Sequence, residues 1–249
     1  MEAGIYLSVV IPAYNEEERL KRHLPGIVEF LQSKGRPFEI IVVNDGSKDG
    51  TACVTGEFAK THPMVRLISL SPNRGKGGAV KAGMLEARGR IVLFTDADQS
   101  TPITEVDKLL AKLEVEGYDM AIGSRGIPGE KVQQPQAWYR ALAGKLFGVG
   151  TWLFCIRGFY DTQCGFKAMK GEVAKKVFSQ VTSSSAIFDI EMLVVTVREG
   201  YRVAELPVKW VHDPDTRIPY NLRRALRIWA ELFRIRRAQH VGLPQRARK

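Results

Sequence analysis

Short apolar runs alternate along this chain with segments whose apolar positions recur at helical spacing. Leu7–Asn15 (LSVVIPAYN) reads as a strand entering a loop. From Glu16 to Lys34 the period becomes helical, with Leu20, Leu24, Ile27 and Leu31 on one side. Phe38–Ser47 (FEIIVVNDGS) is a second strand and loop, with Asp49 placed to cap the next helix. Val65–Leu70 is a third strand, and after SPNRGKGG a helix is predicted over Ala79–Ala87. Arg90–Asp98 (RIVLFTDAD) is a fourth strand. An amphipathic helix carrying Leu109, Leu110 and Leu113 follows Pro102, and Tyr118–Arg125 is a fifth strand.

This β-α-β-α order predicts a mostly parallel sheet with helices on both faces. The unbroken apolar strands agree, because strands of such sheets are buried on both sides. Ligands of open α/β sheets collect at the carboxyl ends of the strands. PAYNE, NDGS, TDAD and GSR all stand at such ends.

Beyond Arg125 the regularity weakens. A Gly/Pro/Gln-rich loop (GIPGEKVQQPQ) leads to a helical segment over about 137–156. DTQCGFKAM, a short helix after Gly171, a helix near Asp189–Glu199 and a strand in RVAELPVKWV follow. The break near residue 126 reads as a change of role within one domain rather than a linker.

Charge adds a feature that periodicity misses. The 249 residues carry a net charge of +10, concentrated at the end: Arg217–Lys249 holds ten Lys and Arg against a single acid, Glu231. Such a basic segment suits nucleic acid or an anionic membrane surface. In Asn221–Arg237, Leu222, Leu226, Trp229 and Phe233 form one helical stripe, with Arg223, Arg224, Arg227 and Arg234 opposite. That is the pattern of a helix lying in a membrane interface; a helix packed on the body with solvated arginines is the plainer alternative.

The longest run tempting as a membrane segment, Leu146–Ile156, is too short to span a bilayer, which takes about 20 residues. The three cysteines match neither a zinc-site spacing nor a disulfide framework. No basic segment followed by an apolar stretch opens the chain. A reducing, cytoplasmic setting without a secretory leader is therefore expected.

Asp96 and Asp98 close a buried strand two positions apart. Like charges so placed demand protonation or a cation, and hard divalent ions prefer oxygen ligands. Alone, the pair reads equally well as a cap on the following turn. Asp45, in NDGS, suits a nucleobase N–H, although the same residues make an ordinary turn. NRGKGGA brings glycines, Arg74 and Lys76 to a helix start, but fits no standard phosphate-loop pattern.

Taken in order, VVIPAYNEEERL, IIVVNDGSKDGT, NRGKGGAVKAGMLEARG, LFTDAD and GSR resemble inverting family 2 glycosyltransferases of GT-A fold. DTQCGFKAMKGEVAKKVF, FDIEML and VAELPVKWVHDPDTRI are similar to their dolichyl-phosphate glucosyltransferase and polyprenyl-phosphate glycosyltransferase branch. The resemblance covers about residues 7–218. It implies a GT-A domain over 1–218, with a nucleotide-sugar half (1–125) and an acceptor half (126–218), followed by the basic helix and tail (219–249).

Carried over, it places Pro12, Tyr14 and Glu16 along the nucleotide pocket, Asp45 on the base and Lys76 near the diphosphate. It gives Asp96 a ribose or metal contact and Asp98 the metal, Mg2+ or Mn2+. Arg125, Arg140 and Arg217 would hold donor and acceptor phosphates. Related mannosyltransferases often carry Gln where this chain has Ser100, which leaves the third metal ligand open. Asp189 is either a general base, needed for a hydroxyl acceptor, or a capping or positioning group. An acceptor phosphate is already anionic and needs no strong base. Cys164 reads as a packed thiol.

The resulting expectation is a peripheral enzyme on the cytoplasmic face of a membrane, moving glucose from UDP-glucose to a polyprenyl phosphate with inversion. GDP-mannose as donor, a sugar hydroxyl as acceptor, and a catalytically inactive sensor are the alternatives. A nucleic-acid partner is not expected, since it leaves the acidic motif unexplained. The sequence does not speak to oligomeric state.

Overall fold

The computed structural model describes residues 4–125, 127, 156–211 and 222–238. All of the predicted helix over about 137–156 except Ile156, together with Arg140 and Arg217, lies outside these, as do the side chains of Leu222 and Leu226.

The chain opens with β1 (Leu7–Ala13), α1 (Glu17–Ser33), β2 (Phe38–Asn44), α2 (Thr51–Thr61), β3 (Val65–Ser69), α3 (Gly75–Glu86) and β4 (Ile91–Thr95). A short 3-10 turn (Ile103–Glu105) leads into α4 (Val106–Glu114) and β5 (Met120–Ser124). Then come β6 (Phe166–Lys170), α5 (Gly171–Gln180), α6 (Phe188–Arg198), β7 (Val203–Pro207) and α7 (Leu222–Ala238). The sheet order is β3-β2-β1-β4-β6-β5-β7. β1 pairs parallel with β2 and β4, β2 with β3, and β5 with β7; β6 is antiparallel to both neighbours. The sheet is therefore mixed but mostly parallel, and strands from both sides of residue 126 alternate in it.

Successive strand residues face opposite ways. Val9, Ile11, Ile40 and Val42 pack with α1 and α4, while Val10, Ile41, Val43 and Phe94 pack with α3, α5 and α6. Leu20, Leu24, Ile27 and Leu31 are buried together, as their spacing predicts. Asp49 stands one residue before the N-cap, Gly50, and accepts from the first helical amide, that of Thr51, at 3.0 Å rather than acting as the cap itself.

Two elements depart from the sequence reading. α3 starts at Gly75 rather than Ala79. Its glycines resist a helix on propensity alone, but the Gly77 amide donates to the Ser184 carbonyl at 2.9 Å and Asn73 Oδ1 accepts from the Gly75 amide at 3.1 Å. Packing thus supplies what propensity lacks. β6 was not predicted as a strand. It is five residues long and carries Lys167 at its second position, fully buried. A charge at that position breaks the apolar signature of an interior strand.

α7 docks by a face next to the predicted stripe. Leu232 and Ile235 join the core, whereas Trp229 and Phe233 are 36% and 49% exposed.

Where α3 crosses β1 and β2, Gly83 lets the backbones close. A Cβ there would lie 2.9 Å from Val43 Cγ2 and closer still to Val10 Cγ1. A helix-interior Gly→Ala change ordinarily stabilises by about 1 kcal/mol, but overpacking a tight core costs about 1–3 kcal/mol. Valine cannot swing aside, so Gly83→Ala is expected to destabilise the fold by about 1–2 kcal/mol, as read by urea denaturation. A stabilised variant would contradict this packing.

Candidate active site

The parallel trio β2-β1-β4 ends on one edge, and the loops that leave it are tied to one another. Ser47 Oγ accepts from the Asn15 amide at 3.0 Å, and Asn15 Oδ1 accepts from the Lys48 amide at 2.8 Å. Asn15 has φ of 57° and Gly46 φ of 70°, so both loops turn through the left-handed region. Tyr14 projects here and is exposed, while Glu16 is engaged by Arg19 at 2.8 Å. Pro12 stands in register with Val43 at the end of β1.

Asp45 is buried and ties this edge to α3. Its Oδ1 accepts from the Arg74 amide at 2.7 Å, and its carbonyl accepts from Asn73 Nδ2 at 2.7 Å. One carboxylate oxygen is thus committed to the loop that carries Lys76.

Asp96 and Asp98 follow β4. Lys76 Nζ lies 2.7 Å from Asp96 Oδ1, across from the start of α3. Burial opposes the charge on Lys76, but Asp96, Asp189 and Asp98 outweigh it and hold its pKa up at about 12. Asp98 is pushed above the ordinary carboxylate range by burial and by Asp96, with Ser100 and Arg19 limiting the rise. The Ser100 amide donates to Asp98 Oδ1 at 2.9 Å, and its hydroxyl also bonds Asp98. Ser100 is therefore a support for Asp98. Its carbonyl accepts from the Val211 amide at 2.8 Å, which ties the stretch after β7 to the acidic motif.

β6 completes the site from the other side. Thr95 pairs with Phe166 in an antiparallel register, so Gly165 comes opposite Asp96. A Cβ at Gly165 would fall inside the Asp96 carboxylate. Two residues on, Lys167 pairs with Phe94 and turns its ammonium to Asp189 Oδ1 at 2.5 Å and the Cys164 carbonyl at 2.6 Å. Lys167 and Asp189 are 0% and 3% exposed at their side chains, so this is a fully interior ion pair. Asp189 opens α6 without capping it; the Ile187 amide is instead taken by Ser185 Oγ at 3.0 Å. Burial pushes the Asp189 carboxyl up, and Lys167 and Lys76 hold it back.

Arg125, at the end of β5, is committed. Its Nε and Nη2 meet Asp161 at 2.6 and 2.9 Å, and its amide donates to the same carboxylate at 3.1 Å. Despite burial, Arg125 keeps Asp161 below the usual carboxylate range. Cys164 is buried, and its thiol is pushed up to about 11 by burial and by Asp161, consistent with a packed, unreactive group.

The structure thus brings Asp96, Asp98, Lys76 and Asp189 into one electrostatic cluster, with Asp45 bound to the same α3 loop. Arg125 is held apart by Asp161. Sequence reasoning missed Gly165 and gave Lys167 no role. The one signal for both was a glycine and a lysine, two residues apart, inside an otherwise apolar β-compatible run.

This geometry has known counterparts. The glycosyl transferase family 2 profile matches residues 8–178. The dolichyl-phosphate beta-glucosyltransferase of Drosophila melanogaster is 41% identical over 227 residues, covering 86% of this chain and 70% of that protein. The human dolichyl-phosphate beta-glucosyltransferase is 37% identical over 225 residues, covering 85% and 69%. Among solved structures, the mannosyltransferase PcManGT from Pyrobaculum calidifontis, in complex with GDP-Man and Mn2+, aligns with TM-score 0.62 at 22% identity, over 96% of this chain and 65% of that one. Glucosyl-3-phosphoglycerate synthase from Mycobacterium tuberculosis, with Mn2+, UDP and glucosyl-3-phosphoglycerate, gives TM-score 0.63 at 18% identity, over 98% and 82%. At such identities the likeness is one of fold, and the fold is GT-A-like α/β. With the profile spanning the sheet from β1 through α5, this chain belongs to glycosyl transferase family 2.

Proposed function

We propose that this enzyme transfers glucose from UDP-glucose to a polyprenyl phosphate of the dolichyl type, with inversion at the sugar carbon and with Mg2+ or Mn2+. The observation that carries the reading is the juxtaposition of Asp96, Asp98 and Lys76 at the strand ends. An acid pair suited to a hard cation stands next to an ammonium suited to a diphosphate. The substrate class follows from the curated relatives, whose names specify a dolichyl-phosphate acceptor and a β-glucosyl product.

The donor set fits a divalent ion. Asp96 and Asp98 offer only carboxylate oxygens, and Asp96 raises the cost of ionising Asp98. A cation there would offset the charge that builds on the departing diphosphate. Before donor arrives, Lys76 is the counter-ion of Asp96. A diphosphate draws Lys76 away and frees Asp96 as a ligand, so metal and nucleotide bind together. Pro12, Tyr14, Glu16 and Asp45 line the nucleotide side and Arg140 and Arg217 serve the phosphates, while Arg125, expected among them, is instead bound by Asp161 and holds the turn after β5. Residues 1–125 act as the donor half and 126–218 as the acceptor half.

An acceptor phosphate oxygen attacks the sugar C1 as the C1–O bond to the diphosphate breaks. The attacking oxygen carries no proton to remove. This agrees with Asp189, whose carboxylate is buried and taken by Lys167. A hydroxyl acceptor would need it as an accessible base.

Membrane contact is the remaining element. Among the described residues no helix is long and apolar enough to cross a bilayer. The basic segment of α7, with Trp229 and Phe233 exposed beside Arg234, Arg236 and Arg237, supports seating on an anionic leaflet of the cytoplasmic face.

Purified protein with a polyprenyl phosphate and Mg2+ or Mn2+ is expected to form polyprenyl-phosphate glucose from UDP-glucose, and little product when GDP-mannose is the donor instead. Asp98→Asn should reduce turnover at least about 100-fold with the fold intact by circular dichroism. Gly165→Ala should do the same by displacing Asp96. Near-normal turnover in Asp98→Asn would reject the metal assignment, and preference for GDP-mannose would reject the donor.

For the membrane, Trp229→Ala with Phe233→Ala is cleaner than truncation, because Leu232 and Ile235 belong to the core. The double variant should co-sediment less with anionic liposomes. High salt should weaken parent binding in part, since only its electrostatic share is screened. Unchanged sedimentation of the folded variant would move membrane contact elsewhere.

A further inference from the structure

The one acid of the basic C-terminal segment faces inward. Glu231 accepts from Ser185 Oγ through both carboxylate oxygens at 2.8 Å, and from Ser183 Oγ through Oε1. Its neighbours Leu232 and Ile235 are buried in the core, so this contact is part of how α7 docks.

The serines it holds belong to a short loop between α5 and α6. Glu191 secures the start of that loop, accepting from the Thr182 and Ser183 amides at 3.0 and 2.7 Å. The loop's far side is pressed against the glycines that open α3. The Ser184 carbonyl accepts from the Gly77 amide at 2.9 Å. A Cβ on Gly77 would lie 2.6 Å from the Ser183 carbonyl and 2.8 Å from that of Ser185, and one on Gly75 would strike the Ser184 carbonyl. Gly75 has φ of 78°, so the turn itself depends on glycine. Between the two glycines stands Lys76, with its ammonium 2.7 Å from Asp96.

We infer that Glu231 is a positioning residue for the donor site: through Ser183 and Ser185 it holds the loop that fixes the Gly75–Gly77 turn and, with it, Lys76. The inference rests on the reading that Lys76 faces the donor diphosphate. It gives the C-terminal helix a second task besides membrane contact, because the state of its docking reaches the nucleotide pocket through contiguous hydrogen bonds. The glycines of NRGKGG then serve close approach to this loop as well as the α3 start. A donor site controlled this way loses nucleotide affinity when Glu231 lets go.

Full-length protein is tested in two ways: UDP binding by calorimetry with Mn2+ present, and hydrogen exchange at the Gly77 amide. Glu231→Ala is expected to speed exchange at Gly77 and weaken UDP about tenfold, within the usual range for coupling between sites. Ser183→Ala with Ser185→Ala breaks the same bonds from the other side and should match it. Adding Glu231→Ala to that pair should bring little further loss, since residues of one network are non-additive. In turnover assays the effect should fall on the donor KM, with kcat and the acceptor KM nearly unchanged, a split that general loosening of the fold would not give.

Lys76→Ala separates the two levels of the claim. If it weakens UDP while Glu231→Ala does not, the positioning role is overturned and the donor reading stands. Unchanged Gly77 exchange in Glu231→Ala overturns the positioning role as well. If Lys76→Ala leaves UDP binding unchanged, the donor reading of Lys76 falls and the inference falls with it.

Discussion

Two carboxylates at the end of one buried strand impose the constraint that the surrounding structure answers. Like charges repel more strongly out of water than in it, and the fold must offset this before any ligand arrives. It does so with an ammonium on Asp96 and with the Ser100 amide and hydroxyl on Asp98. Each answer is placed by backbone geometry. Lys76 reaches Asp96 because a glycine turn opens α3 beneath it, and Gly165 leaves room for the carboxylate because β6 runs antiparallel to β4.

The interior pair Lys167–Asp189 belongs to the same electrostatic field. Removing one partner of a buried ion pair costs about 3–5 kcal/mol, yet replacing both by apolar residues is often neutral or stabilising. Stability alone therefore does not account for it. Asp189 contributes to the high pKa of Lys76, while Lys167 opposes the upward push of burial on Asp189 and holds its carboxylate inward. The pair thus sustains the charge of Lys76 from behind without offering a base to the acceptor, which suits an acceptor that arrives ionised.

Much of the donor side was legible in the sequence because its chemistry sits at the ends of regular apolar strands. Asp45, Lys76, Asp96 and Asp98 all lie where alternation of strand and helix predicts a ligand edge. β6 escaped because a buried lysine interrupts its five residues, and periodicity has no means of telling a solvated lysine from one paired across the core. The early start of α3 escaped for the converse reason: local propensity disfavours Gly75, Gly77 and Gly78, and the helix start is stabilised by Asn73 Oδ1 and by the 183–185 loop, more than a hundred residues away. On α7 the stripe was found from spacing, but which apolar face meets the core was not encoded in spacing alone; Leu232 and Ile235 took that place.

The central claim is that Lys76 and a divalent cation alternate as the partners of Asp96, with nucleotide diphosphate as the agent of exchange. Electron paramagnetic resonance of Mn2+ titrated into the protein, with and without UDP, tests it without catalysis. The account predicts weak Mn2+ binding to the protein alone and a strong gain when UDP is present, with the gain lost in Asp98→Asn. Equal Mn2+ affinity with and without UDP, or no binding in the presence of UDP, would contradict it.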